Sequence, residues 1–182
     1  GEDSILLCGC QNIPEGASVL DVGTGCGIQA IVASQRAERV LGVDVNPDAV
    51  LLAGENAGLN GVLNVEFLVS DLFENVCGIF DVVLFNTPYL LEDACGVEST
   101  AWAGGAEREV VSRFLDDAKN HLEEDGFMVL VTSDACGSEC LEKMFSGGGY
   151  EFELAGSEKV FFEDLLCYRL WVRKSKKKVE PP

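Results

Sequence analysis

Apolar runs alternate with helix-like patterns along almost the whole chain. Ser18 to Val22 (Ser-Val-Leu-Asp-Val) reads as a strand and Gly27 to Arg36 as a helix. Val40 to Asp44 is a second strand. Asn46 then puts a capping side chain directly before Pro47, whose missing N–H costs nothing at the first helical position. That helix runs to about Leu59, and Asn60-Gly61 ends it. Val65 to Val69 and Phe80 to Phe85 are the third and fourth strands. A long loop is expected from Thr87 to about Ala106, then a helix from Glu107 to His121, with His121 closing it. The strand Phe127 to Thr132 follows, then a helix near Glu139 to Phe145 and a turn at Gly147-Gly148-Gly149. Two last strands are expected at about Tyr150 to Leu154 and Leu165 to Val172. A first helix, Asp3 to Cys10, would carry Ile5, Leu6 and Leu7 toward the sheet. Such repetition specifies an α/β fold with a mostly parallel sheet covered on both faces. One domain, residues 1–173, is expected, with Lys174 to Pro182 as a basic, proline-ended, solvated tail.

Charge narrows the ligand. The 182 residues carry 31 acidic against 13 basic side chains, a formal net charge of -18. A nucleic-acid backbone needs Lys and Arg to displace its counterions, so this balance argues against one. A small molecule or a protein partner fits better. The 8 cysteines include no Cys-x-x-Cys pair, and His121 is the only histidine, so no metal site is expected. Several cysteines lie in apolar runs, as reduced core residues do. That composition reads as a reducing compartment, the cytoplasm, with a nuclear pool allowed. No signal peptide is read, and no apolar run approaches the ~18 residues of a membrane helix.

The turn after the first strand, Asp21-Val22-Gly23-Thr24-Gly25-Cys26-Gly27, is glycine-rich where a ligand approaches the backbone. A dinucleotide fingerprint would need a small residue where Ile28 stands. Asp21 would repel a pyrophosphate and attract an ammonium or sulfonium, which moves the reading from a dinucleotide to S-adenosylmethionine. Asp44 ends the second strand, where a carboxylate accepts two hydrogen bonds from a ribose diol. Asp71, after the third strand, is placed to accept from an adenine amino group, with Leu72 beside the ring. The fourth strand runs into Asn86-Thr87-Pro88-Tyr89. An Asn, a rigid Pro and an aromatic at a buried strand end can hold a planar amide or amino group.

With these residues the chain resembles the class I S-adenosylmethionine-dependent methyltransferases. Asn86 to Tyr89 resembles the Asn-Pro-Pro-Tyr motif of members that methylate planar nitrogens. Gly1 to Leu7 (Gly-Glu-Asp-Ser-Ile-Leu-Leu) is similar to the N-terminal segment of eukaryotic and archaeal HemK-like release-factor glutamine methyltransferases. Ala101-Trp102-Ala103-Gly104-Gly105 with Arg108-Glu109-Val110-Val111 resembles that family's Trp-Ala-Gly-Gly loop and next helix, and Glu163 to Leu166 a further stretch. The resemblance implies a seven-stranded Rossmann-like sheet and N5-methylation of the glutamine in the Gly-Gly-Gln loop of a class 1 release factor. It also implies a small zinc-binding activator as partner, expected to add to the edge strand Val65 to Val69. Ser4 joins Asp21, Gly23, Gly25, Asp44, Asp71, Leu72 and Asn86 as cofactor-binding positions. Asn86 would accept one N–H of the target amide through its side-chain carbonyl, and Thr87 the other through its backbone carbonyl. Pro88 would fix the turn and Tyr89 wall the amide, with Trp102 helping to bind the substrate peptide. The family pattern has Pro where this chain has Thr87. Adenine-N6 methylation, transfer to a lysine or small molecule, and a non-catalytic scaffold remain open alternatives.

Overall fold

A computed structural model of the chain describes residues 1–87, 99–134, 138–160 and 163–174. The elements in chain order are α1 (Glu2–Cys10), β1 (Ser18–Val22), α2 (Ile28–Ala33), β2 (Arg39–Asp44), α3 (Pro47–Leu59) and β3 (Val65–Val69). They continue as β4 (Phe80–Asn86), α4 (Ser99–Ala118), β5 (Leu122–Ser133), α5 (Ser138–Gly147), β6 (Tyr150–Val160) and β7 (Glu163–Val172). The strands form one 7-stranded sheet in the order β3-β2-β1-β4-β5-β7-β6. β1 pairs in parallel with both β2 and β4, so the strand order reverses between β1 and β4. β7 is antiparallel to β5 and β6. The seven-stranded, mostly parallel arrangement is the one the sequence pattern predicts.

Side chains alternate along each central strand and build a core on each face. Leu20, Val83, Phe85, Met128 and Leu130 join Phe114 and Phe145 on one side. Val19, Val82, Leu84, Val129 and Val131 join Leu7 and Ala30 on the other. Burying a large apolar side chain completely contributes roughly 1.5–3 kcal/mol. Phe85 stacks on Phe114 with ring centroids 4.4 Å apart, which fixes α4 directly behind the end of β4.

Several boundaries differ from the sequence reading, each for a physical reason. Ile5, Leu6 and Leu7 cannot all face the sheet, because successive helical residues point about 100° apart. Leu7 is buried completely, whereas Ile5 is 66 % exposed. α4 begins at Ser99, inside the expected loop, so it takes in Gly104 and Gly105 at a cost of roughly 1 kcal/mol each relative to Ala. β5 begins at Leu122 rather than Phe127, because an irregularity between the Phe80 and Val82 pairings absorbs the polar stretch Glu123 to Gly126. β6 runs on to Val160 past a second irregularity at Leu154/Gly156, which hides its strand character in the sequence. His121 lies beyond the end of α4 and stacks on Phe73 at 4.9 Å. Lys174, read as the start of the tail, meets Asp125 at 2.6 Å. The rest of the expected tail, 175–182, lies outside the described residues, as do Pro88 and Tyr89.

Candidate active site

The carboxyl ends of β1 to β4 gather the predicted residues around the point where the strand order reverses. Gly23 and Gly25 hold φ +67° and +54°, a left-handed backbone that only glycine adopts without penalty. A Cβ on Gly23 would lie 3.7 Å from the Phe85 ring and 4.0 Å from the Asn86 carbonyl oxygen. The glycine turn and the Asn86 motif therefore line one space.

Asp21 sits under this turn and is 1 % exposed. Its Oδ2 accepts from Thr24 Oγ1 at 2.6 Å and from the Ala30 N–H at 3.2 Å. The charge expected to face a cationic ligand thus also serves inside the protein, tying β1 to the first turn of α2. Burial pushes its carboxyl up to about 7, against the two hydrogen bonds, which favour the ionised form. A carboxyl raised this way binds its proton more tightly in the folded chain than in the unfolded one. Its contribution to stability is therefore complete below about 4 and is lost as pH rises to about 7. Urea unfolding at pH 5 and pH 8 tests this: the wild type should fall relative to Asp21→Asn by a few kcal/mol at most across that interval. An unchanged difference would contradict it.

Asp44 closes β2 with both oxygens placed. Oδ2 accepts from the Gly25 N–H and Oδ1 from the Asn46 N–H, each at 2.9 Å. A carboxylate oxygen accepts more than one bond, so both keep capacity for a diol. The Ser70 N–H donates to the Asp44 carbonyl at 2.9 Å, bringing the loop after β3 alongside. There Leu72 holds φ +48°, a conformation that is strained for leucine. Ser70 Oγ keeps it so, donating to the Leu72 carbonyl and accepting from the Asn75 N–H, both at 3.0 Å. Asp71 is paired with Arg113 of α4 at 2.9 Å.

At the end of β4 the Asn86 amide is divided between two tasks. Its Nδ2 donates to Asp3 Oδ2 at 2.7 Å, with Ser4 Oγ at 3.5 Å. Its Oδ1 is buried and has no hydrogen-bond partner among the described residues. Buried carbonyl oxygens left unpaired cost on the order of 1–3 kcal/mol, so an orphan of this kind points to a ligand donor. Thr87 is 3 % exposed, and both its N–H (3.1 Å) and its Oγ1 (2.9 Å) donate to the Val131 carbonyl. A proline here could make neither bond. The rigidity that the family's proline supplies by its ring is supplied here by hydrogen bonds to β5. Thr87→Val, which removes the hydroxyl bond alone, should cost about 1 kcal/mol in urea unfolding and leave the backbone carbonyl in place.

Three residues of the site were not singled out in the sequence. Gln29 is 3 % exposed and clamps α1 to α2. Its Nε2 donates to the Ser4 carbonyl at 2.8 Å, while its Oε1 accepts from Gln11 Nε2 at 2.5 Å and Cys8 Sγ at 3.4 Å. Arg113 and Asp3 are the others. A signal was available for each: a glutamine on the inner face of a helix, a base among the acids of α4, and an acid beside Ser4. Trp102 falls within α4 rather than in a loop, and its side chain lies outside the described residues.

A parallel sheet reversing between β1 and β4, a glycine turn over a buried acid, and carboxylates closing β2 and following β3 define a class I S-adenosylmethionine-dependent methyltransferase. The donor set fits that cofactor: Asp44 and Asp71 present carboxylates at successive strand ends, and no fixed cation stands at the glycine turn among the described residues. Residues 3–150 match the Methyltransferase small domain, and the chain belongs to that family. It is 39 % identical over 176 residues to a Methanocaldococcus jannaschii protein provisionally named a protein N5-glutamine methyltransferase, covering 93 % of this chain and 89 % of that one. It is 28 % identical over 141 residues to the release factor glutamine methyltransferase of Lactococcus lactis, covering 71 % of this chain and 52 % of that enzyme's length. Among solved structures, the E. cuniculi Mtq2-Trm112 complex, described as methylating the translation termination factor eRF1, superposes with a TM-score of 0.69. That match is 23 % identical and covers 94 % of this chain and 95 % of the other.

Proposed function

We propose that this methyltransferase acts on the side-chain nitrogen of the glutamine in the Gly-Gly-Gln loop of a class 1 peptide-chain release factor. The observation that carries the reading is the buried Oδ1 of Asn86 at the carboxyl end of β4, which has no hydrogen-bond partner among the described residues. A primary amide offers two N–H donors in one plane, and its nitrogen lone pair is delocalised into the carbonyl. Accepting one N–H at Asn86 Oδ1 and the other at the Thr87 carbonyl favours positive charge growing on that nitrogen. It also fixes the direction in which the lone pair points. S-adenosylmethionine, held by Asp44, Asp71 and the glycine turn, supplies an electrophilic methyl group. The proton can depart after transfer, so the site needs no general base. The names of the relatives from M. jannaschii and L. lactis support glutamine over adenine or lysine, and the net charge of -18 disfavours DNA.

The same reading includes a small zinc-binding activator docked on β3. This strand is a sheet edge, with Leu68 39 % and Val69 40 % exposed and Leu63, just before it, 96 % exposed. A groove of about 580 Å³ lies beside it, away from the site, lined by Leu41, Leu63, Glu66, Phe67, Leu68 and Phe80 among others. An apolar edge strand is an aggregation hazard unless it is covered, and an added strand covers it. The cytoplasm, where release factors work, is the compartment that goes with this reading.

Mass spectrometry of a release factor incubated with this chain and S-adenosylmethionine, with and without a candidate activator, tests both parts. The expected result is 14 Da on the Gly-Gly-Gln glutamine (the mass of an added CH₂, on the order of one methyl per chain), increased by the activator. Methyl on a lysine of the release factor instead, or no methyl on it at all, would overturn the substrate. Equal activity and solubility without the activator would overturn the partner.

A further inference from the structure

The acceptor role of Asn86 depends on which way its amide is turned. Oxygen and nitrogen of a primary amide exchange places by a half-turn of the terminal torsion, and the two orientations have nearly the same shape. Only one presents Oδ1 to a substrate N–H. In the other, an NH2 group would meet the NH2 of the target, and no hydrogen bond could form. Something must set this choice before the substrate arrives.

We infer that Asp3 is a positioning residue that sets the Asn86 amide with its oxygen toward the substrate and strengthens that oxygen as an acceptor. The inference deepens the proposed function and rests on it for the role of Asn86. An ionised carboxylate only accepts hydrogen bonds, so it selects the NH2 end of the amide. At 2.7 Å the contact lies in the range of charge-assisted bonds. Turning the amide over would place Oδ1 against the Asp3 carboxylate, which is repulsive. Drawing the amide N–H toward a negative charge also favours the resonance form with more negative charge on Oδ1. That charge is what a nitrogen gaining positive character requires.

Two further contacts keep Asp3 in place. Its Oδ1 lies 3.5 Å from Ser4 Oγ. The helix that carries it is fastened by the Gln29 clamp at the Ser4 carbonyl, one residue on. Asp3 is thus delivered to Asn86 from 83 residues away in sequence, by an element anchored to the cofactor turn.

A double-mutant cycle on the full chain with its activator tests this, using Asp3→Ala, Asn86→Ala and the pair. Asp3→Ala should lower kcat for release-factor methylation roughly 10- to 30-fold and leave the Kd for S-adenosylmethionine within about threefold. Asp3→Asn, whose amide can donate as well as accept and carries no charge, should recover only a small part of that loss. In the Asn86→Ala background, Asp3→Ala should have no further effect, because the group it acts through is gone. Independent losses that multiply would overturn the inference, as would an unchanged kcat in Asp3→Ala. If Asn86→Ala itself leaves methylation unchanged, it is the proposed mechanism that fails. A second readout does not depend on the substrate. The Asn86 side-chain amide protons, assigned by their absence in Asn86→Ala, should exchange slowly with solvent in the wild type and faster in Asp3→Ala. Equal exchange rates would overturn the inference even if no release factor were methylated.

Discussion

Asn86→Ala should reduce methyl transfer by roughly 10²- to 10³-fold while cofactor affinity stays within a few fold. The expectation follows from what the side chain does in the resting protein. Its oxygen is buried without a partner among the described residues, so it is desolvated before the substrate binds and needs no rearrangement at the moment of reaction. Stabilisation by a group already in place is the largest single contribution that such a site can make. The fold should tolerate the change, because Asn86 stands at the end of β4 and the core residues Phe85 and Leu84 behind it are untouched. Single-turnover rates at saturating cofactor, with affinity measured separately by calorimetry, check the prediction. A loss of affinity matching the loss of rate would show that Asn86 holds the cofactor and not the acceptor.

The second large effect lies at Asp44. Asp44→Ala should weaken S-adenosylmethionine binding by on the order of 10²-fold, since hydrogen bonds to a charged group contribute about 1.5–3 kcal/mol each. Two losses combine. The ribose diol loses its acceptor, and the Gly25 and Asn46 N–H groups lose the carboxylate that orders them. Asp44→Asn keeps one carbonyl oxygen and should lose roughly tenfold. Calorimetric titration of the three proteins separates these values. Affinity within threefold of wild type in Asp44→Ala would place the ribose elsewhere.

The sequence made the strands legible because each buried strand is a short apolar run bounded by a turn signal, as Val19 to Val22 and Phe80 to Phe85 show. The site residues that stand at strand ends were legible for the same reason: their spacing follows the repeat of the fold. The residues missed act across the repeat. Asp3 reaches Asn86 from α1, Arg113 reaches Asp71 from α4, and Gln29 reaches back to Ser4. Local features mark each of these residues, but not its partner, since the contacts exist only once the sheet has brought distant segments together. Boundaries failed where composition misled. Glu123-Glu124-Asp125-Gly126 looks like a loop but lies in β5, and Gly104-Gly105 looks like a loop but lies in α4. Burial also revised one chemical reading. Asp21, read as a charge for a cationic ligand, is held under the turn at a proton affinity near neutrality.

The two rims of the sheet are unlike. Along β6, Glu151, Glu153, Glu158 and Lys159 stand exposed around Leu154, and charges of this kind discourage a further strand. Along β3, the exposed positions are Glu66, Leu68 and Val69. A sheet that can lengthen in one direction only cannot polymerise head to tail, because the far end offers no matching surface. A strand added at β3 would therefore end the array there, and two copies meeting through β3 would close on a twofold axis.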